Sequence, residues 1–259
     1  LLNIVGRRRP GEKISLTYRR DDLETTSELE LAAVPDLVPE TLPATSIPSP
    51  PAGEVPAERT GRANAQLPGD AAGAYWRYVP DQYHPGHRYG LLVWLHPAGD
   101  TLEAAVLRAW RAECDRRGII LVGPKAADIS GWSPGETELV RGVVEQMQAE
   151  YSIDPDRICL HGHAEGGRFA WRVAFQHRDL FRAVCTTSAP LREPPPDNDP
   201  QFRTQVCLVT GSDDPLQGRI EKSAELLGQL KFPTRLVTIP DHGQAYPPDA
   251  VVESLAVWL

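Results

Sequence analysis

Beyond Gly61 the apolar residues alternate between two textures. Short solid runs, such as Leu91-Leu92-Val93-Trp94-Leu95 and Ile119-Ile120-Leu121-Val122, are separated by longer segments with apolar residues at every third or fourth position, such as Val140, Val143, Val144 and Met147. Solid runs suit strands buried on both faces, and three-four spacing suits helices with one apolar stripe. Strands are therefore expected at 62–67, 74–79, 89–95, 119–123, 157–161, 183–187, 205–210 and 235–239. Helices are expected at 102–117, 136–151, 165–177, 219–230 and 249–259. This alternation predicts an α/β domain: a mostly parallel sheet of about eight strands with helices on both faces.

The first residues follow a different pattern. Pro10-Gly11-Glu12 reads as a turn, Lys13-Ile14-Ser15-Leu16-Thr17-Tyr18 alternates like a strand, and Asp21-Asp22 reads as a hairpin turn before a second strand through Leu31. Pro35, Pro39, Pro43, Pro48, Pro50, Pro51 and Pro56 then punctuate a stretch poor in large apolar residues, as expected of a semi-extended linker. The chain thus divides into segments 1–34, 35–60 and 61–259.

Composition narrows the function. With 27 Lys and Arg against 35 Asp and Glu, the formal net charge is −8, which argues against a nucleic-acid partner. No apolar stretch approaches the roughly 20 residues of a membrane-spanning helix. Cys114, Cys159, Cys185 and Cys207 show no zinc-ligand spacing, and the last three sit in apolar runs that suit buried thiols. No cofactor motif is present.

The candidate chemistry centres on Gly162-His163-Ala164-Glu165-Gly166-Gly167, between a predicted strand and a predicted helix. Strand, tight glycine turn and helix form the context of a G-x-S-x-G nucleophile elbow, in which small residues let a strained turn lift one side chain above the sheet. Ala164 stands at the apex, and a methyl group cannot attack a carbonyl.

Residues 61–259 resemble the α/β-hydrolase family, and within it the small esterases of the feruloyl, polyhydroxybutyrate-depolymerase and dienelactone-hydrolase types. The likeness rests on the elbow, on Leu91-Leu92-Val93-Trp94-Leu95-His96-Pro97-Ala98-Gly99, on Tyr151-Ser152-Ile153-Asp154-Pro155-Asp156-Arg157, on Gly211-Ser212-Asp213-Asp214-Pro215 and on Asp241-His242-Gly243. The family order of nucleophile, acid and histidine implies position 164, Asp214 and His242. The family spacing prefers Asp214 to Asp213, for which a loop-capping carboxylate is the ordinary reading. The resemblance implies an oxyanion hole from the amide of Glu165 and one from the loop after His96. Pro97 has no N–H, so Ala98 is preferred over Gly99. Trp132 and His163 are candidate substrate contacts, although Trp132 equally suits a loop anchor. A metal held by His96, His161 and His163 is a weaker reading, since no carboxylate stands at ligand spacing. The short connection from Ala189 to Phe202 implies an open cleft for small or polymeric esters or for peptides.

The N-terminal segment, in turn, resembles the last part of a PDZ domain, from a helix end carrying Leu1, Leu2 and Val5 through the Pro10–Lys13 turn into a closing hairpin. That resemblance implies an envelope or secreted setting. Losing a triad serine costs about 10⁶-fold in kcat, or roughly 8 kcal/mol, so the chain is expected to be nearly inert as a serine hydrolase. Three readings follow: a carboxylesterase-type or peptidase scaffold lacking its hydroxyl, a pseudoenzyme binding module on a PDZ-bearing parent, and general-base chemistry by Asp214 and His242 without a nucleophile.

Overall fold

A computed structural model describes residues 8–20, 23–32, 59–69, 73–197 and 202–258. The chain forms two compact units, Leu1–Asp36 and Leu37–Leu259. In the first, β1 (Lys13–Arg20) pairs antiparallel with β2 (Leu23–Glu30), with Thr17 and Thr26 facing each other across the ladder through hydroxyls 3.0 Å apart. Gly11, at φ 84°, turns the chain so that its amide donates to the Leu31 carbonyl at 2.7 Å. The helix end expected around Leu1, Leu2 and Val5, the Asp21-Asp22 turn and nearly all of the proline-rich stretch lie outside the described residues.

The second unit is built on one eight-stranded sheet in the order β10-β9-β8-β7-β5-β6-β4-β3. Its strands are β3 (Gly61–Gln66), β4 (Ala74–Val79), β5 (Tyr89–Leu95), β6 (Ile119–Pro124), β7 (Ile153–His163), β8 (Ala183–Thr187), β9 (Gln205–Gly211) and β10 (Thr234–Ile239). The run from β6 to β10 is parallel, whereas β4 pairs antiparallel with both β6 and β3. The helices are α1 (Glu103–Arg117), α2 (Thr137–Glu150), α3 (Glu165–Gln176), α4 (Gln217–Gln229) and α5 (Asp249–Trp258).

Each solid apolar run feeds two cores because successive strand residues point to opposite faces. Leu91, Val93 and Leu95 pack with α2, α3 and α4, while Leu92 and Trp94 pack with α1 and α5. The pattern-derived strands match this sheet, with one large difference at β7. That strand begins at Ile153, four residues before the expected start, because Ile153 pairs with Tyr89 ahead of an irregularity in the register. The half-exposed and exposed Asp154-Pro155-Asp156 hides this extension from any apolar pattern.

The order of β5, β6 and β7 places the site. The chain leaves β5 for β6 on one side and then crosses to β7 on the other. At such a switch point the loops after the two strands diverge and leave a crevice at their C-terminal ends. The loop 96–99 and the turn at Ala164 flank it.

Close backbone contact there makes glycine obligatory. A Cβ on Gly166 would stand 2.0 Å from the Leu95 carbonyl oxygen, and one on Gly162 would stand 2.5 Å from the Gly166 oxygen. Gly166→Ala is expected to destabilise the fold by about 3 kcal/mol, since backbone rather than a movable side chain must give way. At about 2–4 °C per kcal/mol, thermal unfolding should register a clear drop. Gly218→Ala, with nothing within 4 Å of its added methyl, should leave the midpoint level or slightly raised.

Candidate active site

The turn between β7 and α3 holds Ala164 at φ 49° and ψ −111°, a conformation that non-glycine residues rarely adopt. The Ala164 amide donates to the Thr187 carbonyl at 2.9 Å, and its carbonyl accepts from the Arg168 amide at 3.0 Å. A Cβ on Gly167 would meet the Ala189 methyl at 2.5 Å, so the segment just after β8 presses on the same turn. The strained elbow is therefore intact around a residue that carries no hydroxyl.

The acid and histidine loops flank it from the neighbouring strand ends. Asp214, buried after β9, accepts the Leu216 amide at 2.8 Å and the Gln244 carboxamide at 3.2 Å, both on Oδ1. Its Oδ2 is buried without a hydrogen-bond partner. Asp213 is exposed, its Oδ1 accepting from the Ser212 hydroxyl at 3.2 Å. His242 follows β10 and donates from Nε2 to its own loop's Ala245 carbonyl at 3.0 Å. No hydrogen bond or ion pair joins Asp214 to His242 among the described residues. The expected carboxylate–imidazole contact is absent because Gln244 takes the accessible carboxylate oxygen and His242 turns toward Ala245.

His163 stands closer to this acid than its position before the apex suggested. Its Nδ1 and the Thr187 hydroxyl are 2.7 Å apart in the buried interior. Burial drives its pKa down to about 4, against the opposing charge of Asp214 and with the help of His242. The ring thus packs beneath the elbow, next to the acid and histidine loops.

Two other histidines serve as struts. The Nε2 of His96 accepts the Ala126 amide at 3.1 Å, so Nδ1 carries the proton and donates to the Pro97 carbonyl at 2.7 Å. That pair shapes the loop carrying the expected oxyanion donor. Gly99 spends its amide on the Ile129 carbonyl at 2.7 Å and Pro97 has none, which leaves exposed Ala98 as the loop amide without a backbone partner among the described residues. Glu165 opens α3, where N–H groups lack intrahelical acceptors, and its carboxylate pairs with Arg168. His161, fully buried on β7, lies 3.2 Å from the Cys185 carbonyl through Nδ1 and 2.7 Å from the Tyr246 hydroxyl through Nε2. Trp110 donates to the same hydroxyl at 2.7 Å. The assignment that satisfies all three bonds has His161 protonated on Nδ1, with Tyr246 donating to Nε2. Tyr246, four residues after His242, thereby anchors the histidine loop to the central sheet.

Trp132 anchors its loop against the strand end and α3. Its indole N–H donates to the His96 carbonyl at 2.9 Å, and its ring stacks on Phe169 at 4.8 Å and 10°. It also lines a cleft of about 320 Å³ that begins at Glu165 and follows α3. The described part of the Ala189–Phe202 connection forms the opposite wall through Pro190, Leu191 and Arg192. Sequence patterns singled out none of Gln244, Tyr246 and Thr187, nor the floor of this cleft along α3. A glutamine or tyrosine in a polar loop carries no periodicity, and the pairing of Thr187 with His163 depends on β7 lying beside β8.

No family model matches the chain. It is 30% identical over 94 residues to NocK of Nocardia uniformis subsp. tsuyamanensis, an esterase by name, across 36% of this chain and 27% of that protein. The chain thus spans about a quarter of that relative's length. A ferulic acid esterase superposes with a TM-score of 0.62 at 16% identity, covering 76% of this chain and 96% of the other. A serine-to-alanine mutant of the feruloyl esterase module from Clostridium thermocellum, complexed with sinapinate, superposes with a TM-score of 0.61 at 15% identity, covering 83% and 96%. The fold is that of the α/β-hydrolases. At these identities the likeness establishes the architecture alone.

Within this α/β-hydrolase fold, the buried histidines make stability depend on pH. Burial holds His161 and His163 neutral, each with its pKa lowered to about 4, whereas an unfolded histidine titrates near about 6.5. Between those values the unfolded chain binds more protons, so their contribution is present above pH of about 6.5 and is lost as pH falls toward about 4. Thermal unfolding between pH 7.5 and 4.5 should show stability falling by on the order of 1–3 kcal/mol per pH unit. His163→Gln should flatten that slope.

Proposed function

We propose that this chain is a carboxylesterase-type hydrolase scaffold that binds an ester at the elbow and, with Ala164 in the nucleophile position, turns it over scarcely at all. The observation that carries the reading is the retained strain at Ala164. A φ of 49° with ψ of −111° costs on the order of 1–3 kcal/mol, and alanine gains no nucleophile in return. Such a turn is built to raise one side chain toward an acyl carbon between the Glu165 and Ala98 amides. The esterases among its structural neighbours support the same class of substrate. On this reading Asp214 and His242 activate a restored hydroxyl once His242 leaves Ala245 for Asp214.

The missing hydrogen bond between Asp214 and His242 favours a second reading: a pseudoenzyme binding module with no turnover, belonging to a PDZ-bearing parent. One experiment separates the two. Ala164→Ser is expected to raise hydrolysis of p-nitrophenyl acetate by about 10³-fold or more over the unmodified chain, and adding His242→Ala should abolish the gain. A serine variant that unfolds normally yet gains nothing would overturn the hydrolase reading in favour of the binding module. A gain indifferent to His242→Ala would remove His242 from the chemistry.

A further inference from the structure

The cleft along α3 carries a charge pattern that the esterase reading does not use. Its floor is aromatic: Trp132 lies on Phe169, and Trp171 stacks with Phe175 at 5.8 Å and 23°. Its far wall is fastened on both sides. The Trp171 indole donates to the Ala189 carbonyl at 3.1 Å, and the Leu191 amide donates to the Ser223 hydroxyl of α4 at 3.1 Å. The wall is therefore held in place while the cleft stays open.

Cations exceed anions along this lining. Arg168 pairs with Glu165, and Arg172 pairs with Glu193 at 3.1 Å. Arg192 lines the same cleft, and its guanidinium has no hydrogen bond or ion pair from any described residue; the guanidinium of Arg219, on α4, has none either. Burial, followed by the like charges of Arg192 and Arg219, holds the Arg168 guanidinium below its ordinary pKa. Three cations therefore share one field on a chain whose formal net charge is −8. The Arg168 Nε, moreover, is buried with no hydrogen-bond partner. A donor of that kind costs free energy until an acceptor meets it.

We infer that this cleft is a binding site for aromatic esters carrying a free carboxylate, with Arg192 drawing in the anion and the Trp132–Phe169 stack taking the ring. A planar carboxylate matches the guanidinium fork, and the aromatic floor accepts a ring face. Glu165 belongs both to this lining and to the elbow, so a ligand held here reaches the turn at Ala164. The site deepens the esterase reading by naming its substrate class, but binding itself requires no hydrolysis.

The test is calorimetric titration of the unmodified chain at 50 mM NaCl with 4-acetoxybenzoate and with its neutral methyl ester. The acid is expected to bind about tenfold more tightly, a discounted figure because Arg192 is exposed. That advantage should shrink at 500 mM NaCl and disappear in Arg192→Gln, with affinity for the methyl ester held. Equal affinities, no binding of either probe, or an advantage that survives Arg192→Gln would overturn the inference. Hydrolysis by Ala164→Ser stands apart from these outcomes. A preference for the acid without restored turnover retains the site and rejects the esterase reading, and turnover without preference does the reverse.

Discussion

The site depends on one close approach: the first turn of α3 against the end of β5. With Gly166 the backbone of α3 lies where any side chain would strike the Leu95 and His96 carbonyls, and Gly162 and Gly167 extend the same tight seam from the end of β7 to Ala189 beyond β8. This contact places the positive end of α3 at the mouth of the crevice and bends Ala164 out of ordinary backbone space. The strain persists because Phe169, Ala170, Val173 and Ala174 bury the opposite side of that helix in the core. Burial at roughly 1.5–3 kcal/mol for each large apolar side chain outweighs one distorted residue. The turn's shape is thus determined by packing and is independent of whether its apex can react.

The polar interior follows the same economy of fixed partners. His96, His161 and His163 each meet groups supplied by a neighbouring loop or strand, and each is held neutral by its surroundings. Asp214 is the exception, with one oxygen engaged and the other buried and unpartnered. Its second oxygen is thus a buried acceptor left unmet close to the His242 loop.

Much of this was legible in the sequence, for identifiable reasons. Solid apolar runs found the buried strands because both faces of this sheet are covered, and the glycines around Ala164 marked the elbow because steric demands at a turn are local. Asp214 and His242 could be placed at strand ends by order along the chain. Their failure to meet could not be foreseen, since it turns on Gln244 and Ala245, whose side chain and carbonyl compete for the same partners. The start of β7 escaped for a different reason: Ile153 joins the ladder through backbone bonds ahead of a polar stretch. Trp132 and the Ala189–Phe202 connection pointed to a cleft from the sequence, but its floor along α3 escaped because α3 and the Pro190–Leu191 wall come together across the sheet's connections rather than along the chain.

The backbone joining the acid and histidine loops sets the tempo of the site. The Asp213 amide donates to the His242 carbonyl at 2.9 Å, and Gly211 lies so near that carbonyl that an added Cβ would stand 1.8 Å from its oxygen. Tyr246 ties the other end of the loop to His161. With the main chain pinned at both ends, a change of partner by His242 or Gln244 falls to their own χ angles. Such rotamer changes take picoseconds to nanoseconds where a side chain is exposed, against microseconds or longer for the collective opening of a lid. On the proposed reading, moving His242 from Ala245 to Asp214 would therefore be a side-chain event and not a loop opening.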